Sequence, residues 1–125
     1  MNHKYELRDA DFDAAFFAPS MSGCFMLVSS KALTKVIGFD LRFFMYLEDV
    51  DFSRRISAED LNVVYCPFST VVHLSQRKSY RNFKFLFFHV ISAIKYFNKW
   101  GWFFDSERLR LNQRCLSSLP EKIKK

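Results

Sequence analysis

Apolar positions along the chain change period from segment to segment, and those changes predict its elements. From Gly23 to Ser29 a short apolar run (Cys24, Phe25, Met26, Leu27, Val28) has the length of a strand. Ser30 then offers a cap for a helix through Val36, which Gly38 can stop. Phe39 to Leu47 is aromatic and broken by Asp40 and Arg42. After it, Glu48, Asp49 and Asp51 crowd the expected first turn of a helix carrying Phe52, Arg54, Arg55 and Ile56. Asn62 to Cys66 and Ser69 to His73 are β-branched runs split by Pro67, and they predict short strands, or one interrupted strand, with His73 at the exit.

From Tyr80 to Trp102 the period turns helical. At 100° per residue, Arg81, Lys84, Ser92, Lys95 and Lys99 share one stripe, and Phe83, Leu86, Phe87, Val90, Ile94 and Phe97 lie opposite. Residues 1 to 20 show no period and read as a loop with Phe16 and Phe17 exposed. The tail beyond Arg108 is basic and reads as a frayed terminus ending in Lys122, Lys124 and Lys125. This divides the chain into an irregular segment at 1–20, an α/β segment at 21–79 and an amphipathic helical region at 80–125.

Composition narrows the classes open to the chain. Its 125 residues allow one domain with one core, and 16 phenylalanines with only 3 glycines and 3 prolines argue against a disordered tail. Cys24, Cys66 and Cys115 are odd in number and far apart, which predicts reduced thiols and neither a zinc knuckle nor a redox dithiol. The N-terminal residues carry alternating charges in place of a secretory apolar stretch, so a cytoplasmic location is expected. The longest uncharged run, Phe85 to Ile94, is about half the ~20 residues a bilayer-spanning helix needs. A net charge of +6 suits an anionic partner, and a basic amphipathic helix suits peripheral contact with an anionic membrane surface. Nucleic acid ranks last among such partners, because the aromatics alternate with apolar residues more than with Lys and Arg.

The chemistry-bearing residues are the acids Glu48, Asp49 and Asp51, with His73 downstream. Such a set can supply a general base and a metal ligand, since a carboxylate at a cleft accepts a hydroxyl proton and a neutral imidazole binds Mn²⁺ or Mg²⁺ beside carboxylates. The competing reading is structural: first-turn acids complement the helix dipole, Asp51 pairs with Arg55 at i, i+4, and His73 bonds to backbone.

The order of the pieces resembles family 2 glycosyltransferases, particularly bacterial rhamnosyltransferases that build surface polysaccharide. The resemblance is carried by Ser22 to Leu27, by Gly38-Phe39-Asp40, by Phe43 to Asp51, and by Val71-Val72-His73. Lys95 to Phe104 also looks like the C-terminal region of those rhamnosyltransferases. The resemblance implies the C-terminal portion of a GT-A mixed α/β sandwich followed by the basic amphipathic helix. It makes Asp49 the catalytic base, with Glu48 and Asp51 orienting acceptor or base, and His73 a ligand to the Mg²⁺ or Mn²⁺ that neutralises a diphosphate. Arg77 and Lys78 would add charge to the same diphosphate, and Gly23 would let the backbone pass close to the ligand. The partners it implies are a nucleotide-sugar donor, dTDP-rhamnose, and a lipid-linked glycan acceptor of O-antigen synthesis in lipopolysaccharide formation.

That family places a nucleotide-binding half, with an Asp-x-Asp metal motif, ahead of the Ser-Gly segment. Here Asp9-Ala10-Asp11 and Asp11-Phe12-Asp13 match the motif literally but lie about ten residues before Gly23 in an aperiodic stretch, and they read as loop acids. The expectation is therefore a fragment of an inverting transferase, inactive alone. The alternative is a non-catalytic membrane-surface or assembly module.

Overall fold

A computed structural model describes residue 7 and residues 11–74 and 82–120. In chain order the elements are β1 (Phe16–Phe17), α1 (Ser30–Val36), α2 (Glu48–Ala58), β2 (Val64–Tyr65), α3 (Phe83–Trp100) and α4 (Ser106–Ser118).

The first packing unit is α1 against α2. Ser29, rather than Ser30, caps α1 by accepting from the Ala32 N–H at 3.2 Å. The helix ends at Val36, as expected, and the left-handed turn begins just before the glycine: Ile37 takes the left-handed conformation at φ 49°, and its N–H bonds Leu33 O at 2.9 Å. Ala32 and Val36 bury against Phe52 and Ile56 of α2, with Met26, Val28, Leu61 and Val63 packed around them. Burying a Phe or Ile side chain contributes roughly 1.5–3 kcal/mol, which makes this small cluster the apolar anchor of both helices. Arg55 fastens them as well, donating to Val36 O, to Gly38 O at 2.6 Å and to Asp51 Oδ2 at 2.8 Å, so its guanidinium meets carbonyls at the C-terminal end of α1.

The expected strand at 23–29 is not formed. Its in-and-out alternation is present, with Met26 and Val28 turned to the core and Phe25 and Leu27 exposed, but no described segment hydrogen-bonds alongside it. A strand is a property of a ladder, and alternation alone does not make one. The two expected strands at 62–66 and 69–73 reduce to Val64–Tyr65, and His73 lies exposed in irregular chain. Their partner is a segment expected to be a loop. β1 pairs antiparallel with β2, Phe16 opposite Tyr65 and Phe17 opposite Val64, and Phe16 is buried. Phe16 and Tyr65 stack with ring centroids 4.9 Å apart, and Phe12 meets both rings edge-on.

The tail beyond Arg108 is not frayed: through residue 118 it belongs to α4. Asp105 caps this helix through the Arg108 N–H at 2.9 Å, and Leu111 and Cys115, one turn apart, are its buried face. Ser118 Oγ accepts the Phe17 N–H at 3.0 Å, and Arg114 lies over the Phe17 ring at 4.0 Å, so α4 closes on β1.

The long helix turns its polar stripe toward the rest of the chain. Ser92 and Tyr96 are its buried residues, Ser92 Oγ donates to Met45 O at 2.6 Å, and Lys99 turns inward between two carboxylates. Phe83, Leu86, Phe87, Val90 and Ile94 are exposed. Residues 80 and 81 of the expected helix lie outside the described residues. Among the described residues no helix is long and apolar enough to cross a membrane.

Candidate functional site at the start of the second helix

The acids enter α2 through a backbone corner. Tyr46 and Leu47 both have positive φ, 69° and 62°, and Leu47 supplies no side-chain cap. Each left-handed non-glycine residue costs on the order of 1 kcal/mol, and consecutive ones persist only where surrounding contacts hold them. Here Tyr46 stacks on His89 of α3 at 4.8 Å, and Met45 O is held by Ser92.

Beyond the corner the acids part. Asp49 is partly exposed. Its Oδ1 accepts the Val50 N–H at 2.8 Å, and its Oδ2 accepts the Gly23 N–H at 2.9 Å. One turn later, Ser53 Oγ donates to Asp49 O at 2.9 Å and accepts the Met21 N–H at 3.2 Å. Asp49 and Ser53, at i and i+4 on one face of α2, thus strap residues 21–23 along the helix. A Cβ placed on Gly23 would stand 3.2 Å from Asp49 Cβ, tighter than an ordinary contact. Gly23 therefore brings the backbone close to Asp49 itself. Each carboxylate oxygen has lone-pair capacity beyond the backbone bond it accepts, so Asp49 can still receive a hydroxyl proton.

Glu48 is half-buried, and its Oε2 is shut from solvent with no hydrogen-bond partner among the described residues. Asp51 points inward and is fully buried. Its Oδ1 accepts from Trp100 Nε1 at 2.8 Å and Lys99 Nζ at 2.6 Å, and its Oδ2 accepts from Arg55 Nε at 2.8 Å. The expected i, i+4 pair with Arg55 is present. Lys99 also reaches Asp40 at 2.8 Å. Arg42, hydrogen-bonded to Asp40, holds that carboxyl far below the usual carboxylate range, and Lys99 adds to the effect.

A second polar knot lies behind this one. Arg54 and Asp105 form a bidentate pair at 2.7 and 2.8 Å with side chains 3% and 2% exposed. Arg54 also donates to the Tyr96 hydroxyl at 3.0 Å and sits 4.3 Å from the Trp100 ring. Hydrogen bonds from Arg54 pull the Asp105 carboxyl below its usual value, whereas burial pushes the Tyr96 phenol up. One guanidinium thus ties α2 to α3 and to the cap of α4. The motif-level reading overlooked this pair, although Asp105 followed by Glu107 is a helix-start signal.

Of the expected site residues, the structure brings Gly23 against Asp49, leaves Glu48 half-buried with its Oε2 unpartnered among the described residues, turns Asp51 into the interior and leaves His73 exposed. Arg77 and Lys78 lie outside the described residues. Asp11 Oδ1 accepts the Asp13 N–H at 3.0 Å in a local turn. Among the described residues no group of three or more His, Cys, Asp or Glu side chains is placed to hold a metal ion, so these residues do not by themselves fit the Mg²⁺ or Mn²⁺ that the resemblance implies. A cavity of about 190 Å³ lined by Val50, Arg54, Tyr96 and Leu111 is smaller than a typical small-molecule site and does not include Asp49.

Comparison with known proteins adds direction. The N-acetylglucosaminyl-diphospho-decaprenol L-rhamnosyltransferases of two Mycobacterium tuberculosis strains, H37Rv and CDC 1551, are each 43% identical to this chain over 53 residues, 42% of this chain and 17% of theirs. Rhamnosyltransferase WbbL of Escherichia coli K12 is 33% identical over 76 residues, 60% of this chain and 29% of its own. Over these stretches the chain is related to rhamnosyltransferases. It spans about a sixth to under a third of the length of these relatives. No protein-family model and no solved structure matches it.

Proposed function

We propose that this chain forms the acceptor and catalytic-base side of an inverting GT-A glycosyltransferase, and that turnover requires a nucleotide-binding half of the kind its much longer relatives have room for. The observation that carries the reading is the placement of Asp49, a partly exposed carboxylate at a strained helix entrance, oriented by the Gly23 and Val50 N–H groups. The part-length similarity to rhamnosyltransferases supports the same reading.

In this reading Asp49 accepts the proton of the acceptor hydroxyl as its oxygen attacks the anomeric carbon of the donor sugar. The bond from that carbon to the diphosphate breaks on the opposite face, the nucleoside diphosphate leaves with the electron pair, and the configuration inverts. Glu48 borders the acceptor side, and Asp51 keeps α2 in register from behind. The proposed donor is dTDP-rhamnose and the acceptor a lipid-linked glycan, in keeping with the diphospho-decaprenol acceptor in the mycobacterial relatives' name. O-antigen synthesis at the inner face of the cell membrane is the proposed setting.

The test is a chimera carrying this chain in place of the matching segment of the E. coli relative, assayed for rhamnose transfer to a polyprenyl-diphosphate glycan. Transfer is expected, and Asp49→Asn should reduce it by about 10²–10⁴-fold, the usual contribution of a general base. Undiminished transfer by Asp49→Asn would remove Asp49 from the reaction.

A further inference from the structure

A helix whose polar stripe turns inward leaves its apolar stripe outside. In α3, Lys99 ends between Asp40 and Asp51, Lys95 Nζ donates to Arg42 O at 2.8 Å, and Ser92 bonds Met45 O. Phe88 packs on Phe44 with ring centroids 5.2 Å apart. These contacts fix the rotation of the helix. Its opposite side presents Phe83 at 89% exposure, with Leu86, Phe87, Val90 and Ile94 following at spacings of three and four residues. The exposed aromatics resume just past the helix with Trp102, Phe103 and Phe104, the last 98% exposed. Contiguous large apolar surface of this kind is not left to water without a partner.

We propose that this face of α3, continued by residues 102–104, lies in the headgroup region of an anionic lipid bilayer with the helix axis parallel to the membrane plane. Charge selects this occupant. The 18 residues of α3 contain no Asp or Glu, and Lys84 is exposed along the flank of the apolar stripe, where its stem can reach along it and its ammonium group can meet lipid phosphates. The chain as a whole carries +6. Phe and Trp on one side with Lys beside them is the composition of an interfacial helix, and no described helix is long and apolar enough to span. The membrane-facing side is thus the apolar stripe, with Lys84 at its margin. This differs from contact made by the basic stripe, two members of which are committed to the interior.

The docking does not depend on the transfer reaction and is tested without it. The full chain is mixed with phosphatidylglycerol/phosphatidylcholine vesicles, or with phosphatidylcholine alone, and separated by flotation. Binding is expected to anionic vesicles, with a blue shift of tryptophan emission. The double variant Phe83→Asp, Phe87→Asp should bind at least tenfold more weakly, from the loss of buried apolar area and the added charge. Both positions are exposed, so its circular dichroism should match the parent, and the more conservative Phe83→Ser, Phe87→Ser should weaken binding in the same direction. Lys84→Glu should weaken binding to anionic vesicles and leave the smaller binding to neutral ones unchanged. Parental binding by both Phe variants would overturn the proposal. So would self-association of the chain through this face with no vesicle binding, which would make the occupant a second copy.

Discussion

The Gly23 N–H donates to Asp49 Oδ2 over 2.9 Å, joining two residues that are 26 positions apart in the chain and fixing the orientation of the carboxylate from its exposed side. A methyl group at position 23 would press on Asp49 Cβ at 3.2 Å and displace it by a few tenths of an ångström. Gly23→Ala should therefore lower transfer by the chimera roughly tenfold, since small displacements of a catalytic group are costly, with less than about 1 kcal/mol of change in urea unfolding. A loss of stability without a loss of rate would make Gly23 a packing residue only.

Asp49 and Asp51 should separate in experiment although both open the same helix. Asp51 is buried beneath Lys99, Arg55 and Trp100, so Asp51→Asn leaves Arg55 without its carboxylate and Lys99 with Asp40 alone, and is expected to cost about 3 kcal/mol in chemical denaturation. Asp49→Asn keeps a carbonyl acceptor at the surface and should stay within about 1 kcal/mol of the parent. Equal destabilisation by the two variants would contradict the division of roles.

The Arg54–Asp105 pair predicts how the fold responds to acid. Asp105 is depressed in the folded state chiefly by hydrogen bonds from Arg54. The stabilisation is therefore present above the unfolded carboxylate value of about 4 and is lost as pH falls through the lower folded value. Thermal unfolding followed from pH 7 to pH 2 should show Tm falling below about pH 4. Asp105→Ala should already be destabilised at pH 7, by about 3–5 kcal/mol, because it leaves a buried guanidinium without its counter-ion, and its Tm should fall less steeply in acid. An unchanged acid limb in the variant would assign the acid loss to other carboxylates.

Ile37 offers a stabilising change. It is exposed, β-branched and left-handed at the end of α1, a conformation that glycine adopts without a Cβ penalty. Ile37→Gly is expected to raise stability by about 1 kcal/mol in urea unfolding and to leave transfer by the chimera unchanged. A loss of stability would show that Ile37 makes contacts its exposure does not suggest.

Local chemistry along the chain was enough to place α1, α2 and the body of α3, because capping serines, first-turn acids and apolar spacing act over a few residues. Gly23 and Asp49, which the resemblance names together, do meet in the fold, and the Asp51–Arg55 pair was legible through its spacing. The sheet was not. Phe16-Phe17 carries no period because a two-residue strand is too short to show one, and its partner is nearly 50 residues away, so only the ladder identifies it. The run at 23–29 keeps strand alternation without a strand for the converse reason, since no described segment pairs with it.

The rotation of α3 was decided by tertiary structure alone. An amphipathic pattern specifies two faces but not which one meets the protein, and the usual assumption buries the apolar face. Here Asp40 and Asp51 draw Lys99 inward, Met45 O takes Ser92, and Arg54 takes Tyr96, so charge and hydrogen bonding set the orientation and the phenylalanines are left outside. What the sequence by itself determined was the elements and the identity of the acids. What only the fold decided was the direction in which each acid and each helix face points, because that depends on partners brought together from 26 to 59 positions away.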